Sequence, residues 1–255
     1  MSSIENIDNL TPEELISPPK YDAMSVLMAM ITSLIVGVIV GVIILLFSFL
    51  ALGKFSLESG VSPILLAMIT FFALVIGNLI YYTILSKIFP NIYSRGRTAL
   101  AQIVILSILL YLFFAPVYIV ISTFSKDSSF VLWAFSAHIL LSIFAFHIVI
   151  ALISQYRYSL LSIYTSIASL LFTTMVVLSI LLFLPSSMSS LFVLFGLSIV
   201  AYFTFTFLYT LLCWLYYTLY VATGSDIVGN IFARIESEEK NIEREAMLKL
   251  TSFHK

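Results

Sequence analysis

Six long apolar runs, separated by short polar segments, dominate the hydrophobic pattern of the chain. A helix needs about 20 mostly apolar residues to cross a bilayer, and in hydrocarbon a helix satisfies its own backbone. Between the first run and the last, Lys, Arg, Asp and Glu occur only in the connecting segments. The pattern therefore predicts an all-α integral membrane protein, with six transmembrane helices over 24–52, 63–86, 98–123, 130–154, 160–184 and 191–221.

The positions of the six apolar runs divide the chain into three parts. Residues 1–23 form an acidic N-terminal tail, residues 24–223 form the six-span bundle, and residues 224–255 form a polar C-terminal tail. The C-terminal tail begins with the helix breaker Gly224, and its apolar residues recur at helical spacing. An amphipathic helix is therefore expected there, with an apolar face that includes Ile227, Ile231, Ile235 and Ile242.

Composition narrows the class of protein further. The 255 residues are 61% apolar and 10% charged, and the mean hydropathy is +1.12. A soluble domain carries roughly a quarter charged residues. A chain with so few charges would expose large apolar patches to water, so a bilayer is the environment that suits it. The formal net charge of −1 gives no basis for binding nucleic acid, which needs a basic face. The single cysteine, Cys213, excludes an intrachain disulfide framework.

The distribution of basic residues predicts the orientation in the membrane. If the N-terminus is cytoplasmic, that side holds ten of the twelve Lys and Arg residues, against Lys54 and Lys126 outside. Tyrosines that include Tyr81 and Tyr82 fall at predicted cytoplasmic span ends, where amphipathic rings anchor helices. The expected location is the cell (cytoplasmic) membrane, with multiple spans and both termini in the cytoplasm.

Small residues recur every four positions along the first span. Such a ridge lets two helix backbones approach closely, which drives helix association in lipid. The partner helix could belong to the same chain or to a second copy in a homo-oligomer. The ridge comprises Ser25, Ala29, Ser33, Gly37 and Gly41.

Spans five and six each carry hydroxyl side chains at helical spacing. These hydroxyls either bond to carbonyls and neighbouring helices, or they line a weakly polar pathway or pocket between the two spans. The possible polar face comprises Ser162, Ser166, Ser169 and Thr173 of span five, and Tyr202, Thr206 and Tyr209 of span six.

Candidate catalytic and cofactor residues are scarce in the spans. His138 and His147 lie nine residues apart in span four, so they point to opposite sides of the helix and cannot share a metal. No span contains a carboxylate, and the sequence has no H-E-x-x-H or G-x-S-x-G motif. No catalytic, cofactor-binding or metal site is predicted, and hydrogen-bonded structural histidines are expected.

The sequence is compatible with two classes of function. The leading expectation is a non-enzymatic scaffold or assembly subunit of a membrane complex, which binds a protein partner or a second copy through the first span or the C-terminal helix. The alternative is a permease or channel for an uncharged or lipid-like substrate. Spans without ionisable carboxylates or arginines disfavour proton-coupled pumping and voltage sensing.

Overall fold

Six helices account for almost all of the described chain. The structure is a computed structural model, which describes residues 20–52, 63–89, 93, 96–124, 128–154, 159–183, 191–224, 226, 227, 230 and 234. Within these ranges there is no β-strand. The helices are α1 Ala23–Leu52, α2 Pro63–Ile88, α3 Gly96–Phe124, α4 Ser128–Ser154, α5 Ser159–Phe183 and α6 Leu191–Thr223.

The helix lengths suit a bilayer. Each helix has 25 to 33 residues, and a rise of about 1.5 Å per residue makes all of them longer than the ~30 Å hydrocarbon core. All six are apolar enough to cross a membrane. The predicted all-α class is confirmed, as is the count of six helices long and apolar enough to span a membrane. Every observed helix end lies within two residues of its predicted position.

The even-numbered helices form the centre of the bundle. Between 44% and 56% of the residues in the most apolar windows of α2, α4 and α6 are buried, against 22% to 33% in α1, α3 and α5. Helix α1 packs against α2 and α6, α3 packs against α2 and α4, and α5 packs against α4 and α6. Each odd-numbered helix therefore fills the groove between two inner helices and turns its remaining surface outward.

Helix α6 ends at the predicted breaker. Gly224 has a φ of 65°, and its N–H donates to the Tyr220 carbonyl at 2.8 Å. Glycine commonly closes helices in this left-handed conformation because it lacks a Cβ. The C-terminal amphipathic helix predicted beyond this point falls mostly outside the described residues. Ile231, Ile235 and Ile242 lie outside them, as do residues 1–19 of the acidic tail.

Candidate functional site

The Asn78 amide joins the three inner helices. Its Nδ2 atom donates to Ser142 Oγ of α4 at 2.9 Å, and its Oδ1 atom accepts a hydrogen bond from the Tyr202 hydroxyl of α6 at 2.8 Å. All three side chains are buried. Because hydrocarbon offers no partner for an amide, these bonds fix the positions of α2, α4 and α6 relative to one another.

A second link between α2 and α6 lies one turn further along α2. The hydroxyls of Tyr81 and Thr206 are 2.6 Å apart, and the ring of Tyr81 meets the ring of Tyr202 edge-on at 6.0 Å. Tyr81 was expected to anchor the helix at the membrane surface, and the structure instead buries it completely. Its hydroxyl has a partner inside the bundle, which removes the need for surface water.

His147 lies in a cage of aromatic rings close to this link. Its Nδ1 is 2.8 Å from the Ile143 carbonyl oxygen, which can only accept, so Nδ1 carries the proton. Nε2 is then an acceptor, and it is buried without a hydrogen-bond partner among the described residues. Ring centroids lie 4.8 to 5.7 Å away, contributed by Tyr209, Phe205, Phe146 and Tyr81.

Further hydroxyl and thiol groups lead to the end of the bundle where the chain enters α1, here called the entry end. The Ser162 and Tyr209 hydroxyls are 2.7 Å apart, and the Cys213 thiol donates to Thr165 Oγ1 at 3.7 Å. We call the following ten buried, uncharged side chains of α2, α4, α5 and α6 the polar row. It comprises Asn78, Tyr81, Ser142, His147, Ser162, Thr165, Tyr202, Thr206, Tyr209 and Cys213.

Two tyrosines from outside the spans cover the entry end. Tyr21 precedes α1, and its ring lies 4.8 Å from that of Phe89. Tyr93 follows α2, and its carbonyl accepts a hydrogen bond from the Tyr82 hydroxyl at 2.8 Å. Burial raises the pKa of Tyr21 and of Tyr93 well above the ordinary value for tyrosine, so both phenols are neutral at physiological pH.

A capping arrangement fixes the start of α1 beside Tyr21. The Ser25 backbone N–H donates to Asp22 Oδ1 at 2.7 Å, the Ser25 hydroxyl donates to the same carboxylate, and the Asp22 N–H donates to Ser25 Oγ at 3.2 Å. The hydrogen bond from the Ser25 hydroxyl, followed by that from its N–H, lowers the pKa of Asp22. The carboxylate therefore stays ionised, as a helix N-terminus favours.

The other intramembrane histidine has different neighbours. His138 stacks on Phe114 of α3 with ring centroids 4.5 Å apart, and its ring meets that of Tyr118 at 6.3 Å. Its Nδ1 has no hydrogen-bond partner in the part of the chain that the structure describes. The Tyr118 hydroxyl lies beside the Thr70 hydroxyl without the geometry of a hydrogen bond. The two histidines therefore occupy separate sites.

The small-residue ridge of α1 lies against α6 of the same chain. A Cβ atom on Gly37 would lie 2.8 Å from Ile199 Cα, and one on Gly41 would lie 3.1 Å from the Phe195 carbonyl oxygen. Ala29 and Ser33 are also buried, whereas Ser25 is half-buried and takes part in the cap. The glycines thus provide the space into which the α6 backbone fits.

The hydroxyls of α5 and α6 have several kinds of partner. Ser166 and Ser169 donate to carbonyls of their own helix, those of Ser162 and Thr165, both at 2.6 Å. Thr173 Oγ1 is buried and has no partner in the described ranges. On α6, Tyr202 and Thr206 bond to α2 rather than to α5. Helices α5 and α6 are joined by the Ser162–Tyr209 and Thr165–Cys213 contacts.

One residue of the predicted partner-docking face can be placed. The Ile227 side chain is 61% exposed, so the first residue of the predicted apolar stripe is uncovered by the rest of the described chain. Among the described residues there is no group of three or more His, Cys, Asp or Glu side chains that could hold a metal ion.

The centre of the polar row, Asn78, is absent from the site residues predicted from the sequence. Asn78 is an amide within an apolar span, which is itself a signal because such groups need a partner in hydrocarbon. Gly77, beside it, was also missed. A Cβ there would collide with Val40 of α1 and lie 3.3 Å from the Tyr202 hydroxyl. Gly77 thus lets α1 and Tyr202 approach α2.

Comparison with protein-family models, with curated proteins and with solved structures finds no match for this chain. The polar row and the surfaces around it are therefore the features that bear on its function.

Proposed function

We propose that this protein is a non-enzymatic scaffold or assembly subunit of a membrane complex, located in the cell membrane with both termini in the cytoplasm. The observation that carries the proposal is the interior of the bundle. Both ends of the Asn78 amide are occupied by side chains of other inner helices, and the Tyr81 and Thr206 hydroxyls bond to each other. Polar groups that satisfy one another hold the helices together and are not free to bind a solute.

The charge distribution supports the orientation. Ten basic residues fall on the side that holds both termini and two fall on the other side, and basic residues are retained on the cytoplasmic side. Lys20 and Lys87 flank the entry end, next to the start of α1 and in the last turn of α2. The entry end is therefore proposed to face the cytoplasm.

The start of the C-terminal tail supports a docking helix. The Asn230 N–H donates to the Asp226 carbonyl at 2.9 Å, which is the i to i−4 bond of an α-helix. The Tyr216 hydroxyl donates to Asp226 Oδ1 at 2.9 Å and ties this turn to α6. With Ile227 exposed, we propose that the stripe Ile227, Ile231, Ile235 and Ile242 binds a protein partner.

Purification from native membranes in mild detergent tests this proposal. We expect a partner to co-purify in fixed stoichiometry with the wild type and to be lost from the double variant Ile231→Glu, Ile235→Glu, because two charges would enter an apolar contact. The matched control is Ala233→Glu, Ser237→Glu, on the opposite side of the same predicted helix, which should retain the partner. A partner that stays with the double variant would contradict the docking face.

The second candidate is a conduit for an uncharged solute, and the polar row favours it. The row places hydroxyl, amide and imidazole groups inside the bundle, and the Nε2 atom of His147 is an acceptor without a hydrogen-bond partner among the described residues. Proteoliposomes decide between the two functions. If the protein is a scaffold, proteoliposomes that contain it should shrink in glycerol or urea gradients at the same rate as empty liposomes. If it is a conduit, their rate should be higher, and the variant His147→Leu should abolish the increase.

A further inference from the structure

Tyr21 lies inside the bundle although it belongs to none of the spans. Its side chain is 1% exposed, whereas its neighbours Lys20 and Asp22 are both exposed. The chain therefore turns one aromatic side chain inward immediately before α1 begins. The ring rests on Phe89, one residue beyond the end of α2, at a centroid distance of 4.8 Å.

The Tyr21 hydroxyl meets the polar row at its entry end. It interacts with the Cys213 thiol and with the Tyr209 hydroxyl, both on α6. Tyr209 continues the row inward, because it bonds to Ser162 and its ring lies 4.8 Å from that of His147. Together with Tyr93, Tyr21 thus separates the entry end of the row from the exposed surface.

Tyr21 can move without disrupting a transmembrane helix. The side-chain cap at the start of α1 is made by Asp22 and Ser25, and Tyr21 precedes this cap. Residues that flank the end of a helix open at a lower free-energy cost than the packed middle of the same protein. The contacts of Tyr21 with Phe89, Cys213 and Tyr209 are side-chain contacts, which one rotation of the side chain would break together.

We propose that Tyr21 is a latch that closes the entry end of the polar row against water and small molecules. When the Tyr21 side chain swings out, the Cys213 thiol becomes accessible from the aqueous side, whereas Tyr93 stays beside the Tyr209 hydroxyl. When it swings in, the row is sealed beneath the Tyr21, Phe89 and Tyr93 side chains. The latch is independent of the proposed scaffold function, because it concerns access to the bundle interior and not the C-terminal tail.

Cys213 is a native reporter for this movement because it is the only cysteine of the chain and is buried. Alkylation of the full-length protein by N-ethylmaleimide, followed over time by mass spectrometry, measures how often the thiol becomes accessible. We expect slow alkylation of the wild type and at least about tenfold faster alkylation of Tyr21→Ala, because the opening step no longer limits the reaction. Tyr21→Phe keeps the ring and should stay close to the wild-type rate.

The matched control is Tyr164→Ala. Tyr164 lies on α5 with its side chain 61% exposed, so removing its ring should leave the alkylation rate of Cys213 unchanged. A Tyr21→Ala protein that is monodisperse and reacts at the wild-type rate would overturn the latch. If Tyr21→Ala does not fold, Phe89→Ala decides, since it removes the ring on which Tyr21 rests. Faster alkylation of that variant supports the latch, and an unchanged rate overturns it.

Discussion

Asn78 shows how a single polar residue organises an apolar interior. It contacts Ser142 and Tyr202, which lie 64 and 124 residues away in sequence, and so brings three helices to one point. The sequence marks Asn78 as a polar side chain in an apolar span, but it does not indicate which hydroxyls will bind it. The hydroxyls on the predicted polar face show the same limit, because Tyr202 and Thr206 found partners on α2 and not on α5.

Replacing Asn78 with leucine should destabilise the bundle. The change removes two interhelical hydrogen bonds, each contributing about 0.6 kcal/mol in membrane proteins. It also leaves the Tyr202 hydroxyl buried without its acceptor, which costs about 1–3 kcal/mol. We expect a total loss of roughly 2–4 kcal/mol in the free energy of unfolding, measured by chemical denaturation of the purified protein in detergent micelles.

Gln102→Leu is the matched control for this prediction, because Gln102 is also an amide within a span but is exposed on α3. It should unfold at the same denaturant concentration as the wild type or at a higher one. The variant Asn78→Leu, Tyr202→Phe should recover part of the lost stability by removing the orphaned hydroxyl. Wild-type stability for Asn78→Leu alone would show that the amide does not hold the inner helices together.

At the scale of helices, the residues at which each helix begins and ends were easier to predict from the sequence than the helices that it contacts. Each span end is marked by charged or turn-forming residues, because charges are costly in hydrocarbon, and the predicted and observed ends therefore agree within two residues. The residues exposed to lipid are as apolar as those in the core, so hydrophobicity does not identify the packed face. The small-residue ridge of α1 indicated a close contact but did not indicate that α6 provides it.

Alanine at Gly37 should weaken the packing of α1 on α6. The new Cβ would lie 2.8 Å from Ile199 Cα, a backbone atom that moves only if the helix moves. We expect a loss of roughly 1–3 kcal/mol in the free energy of unfolding, typical of overpacking, measured by thermal unfolding in detergent.

Gly196→Ala is the matched control, because nothing lies within 4 Å of its Cβ position. Removing that helical glycine should leave stability unchanged or raise it by up to about 1 kcal/mol. Equal melting temperatures for Gly37→Ala and the wild type would contradict the close approach.

For the whole molecule, the division into inner and outer helices explains how the polar side chains are accommodated. The even-numbered helices supply Asn78, Tyr81, Ser142, His147 and Tyr202 to the centre, and the odd-numbered helices cover the grooves between them. The six spans could be predicted from sequence because their lengths and apolar character follow from the thickness of a bilayer. The arrangement of the six helices could not be predicted from the sequence, because it depends on long-range pairings such as the one between Tyr81 and Thr206.

Cysteine labelling of intact cells is the most direct test of the proposed six-span bundle with both termini on the cytoplasmic side. In a Cys213→Ser background, single cysteines replace Ser59, Ser94, Ser128 or Ser252, and a membrane-impermeant maleimide is added outside. Basic residues stay inside, so we expect cysteines at positions 59 and 128 to react on intact cells and those at 94 and 252 to react only after permeabilisation. Labelling of 94 and 252 on intact cells, with 59 and 128 protected, would contradict the orientation.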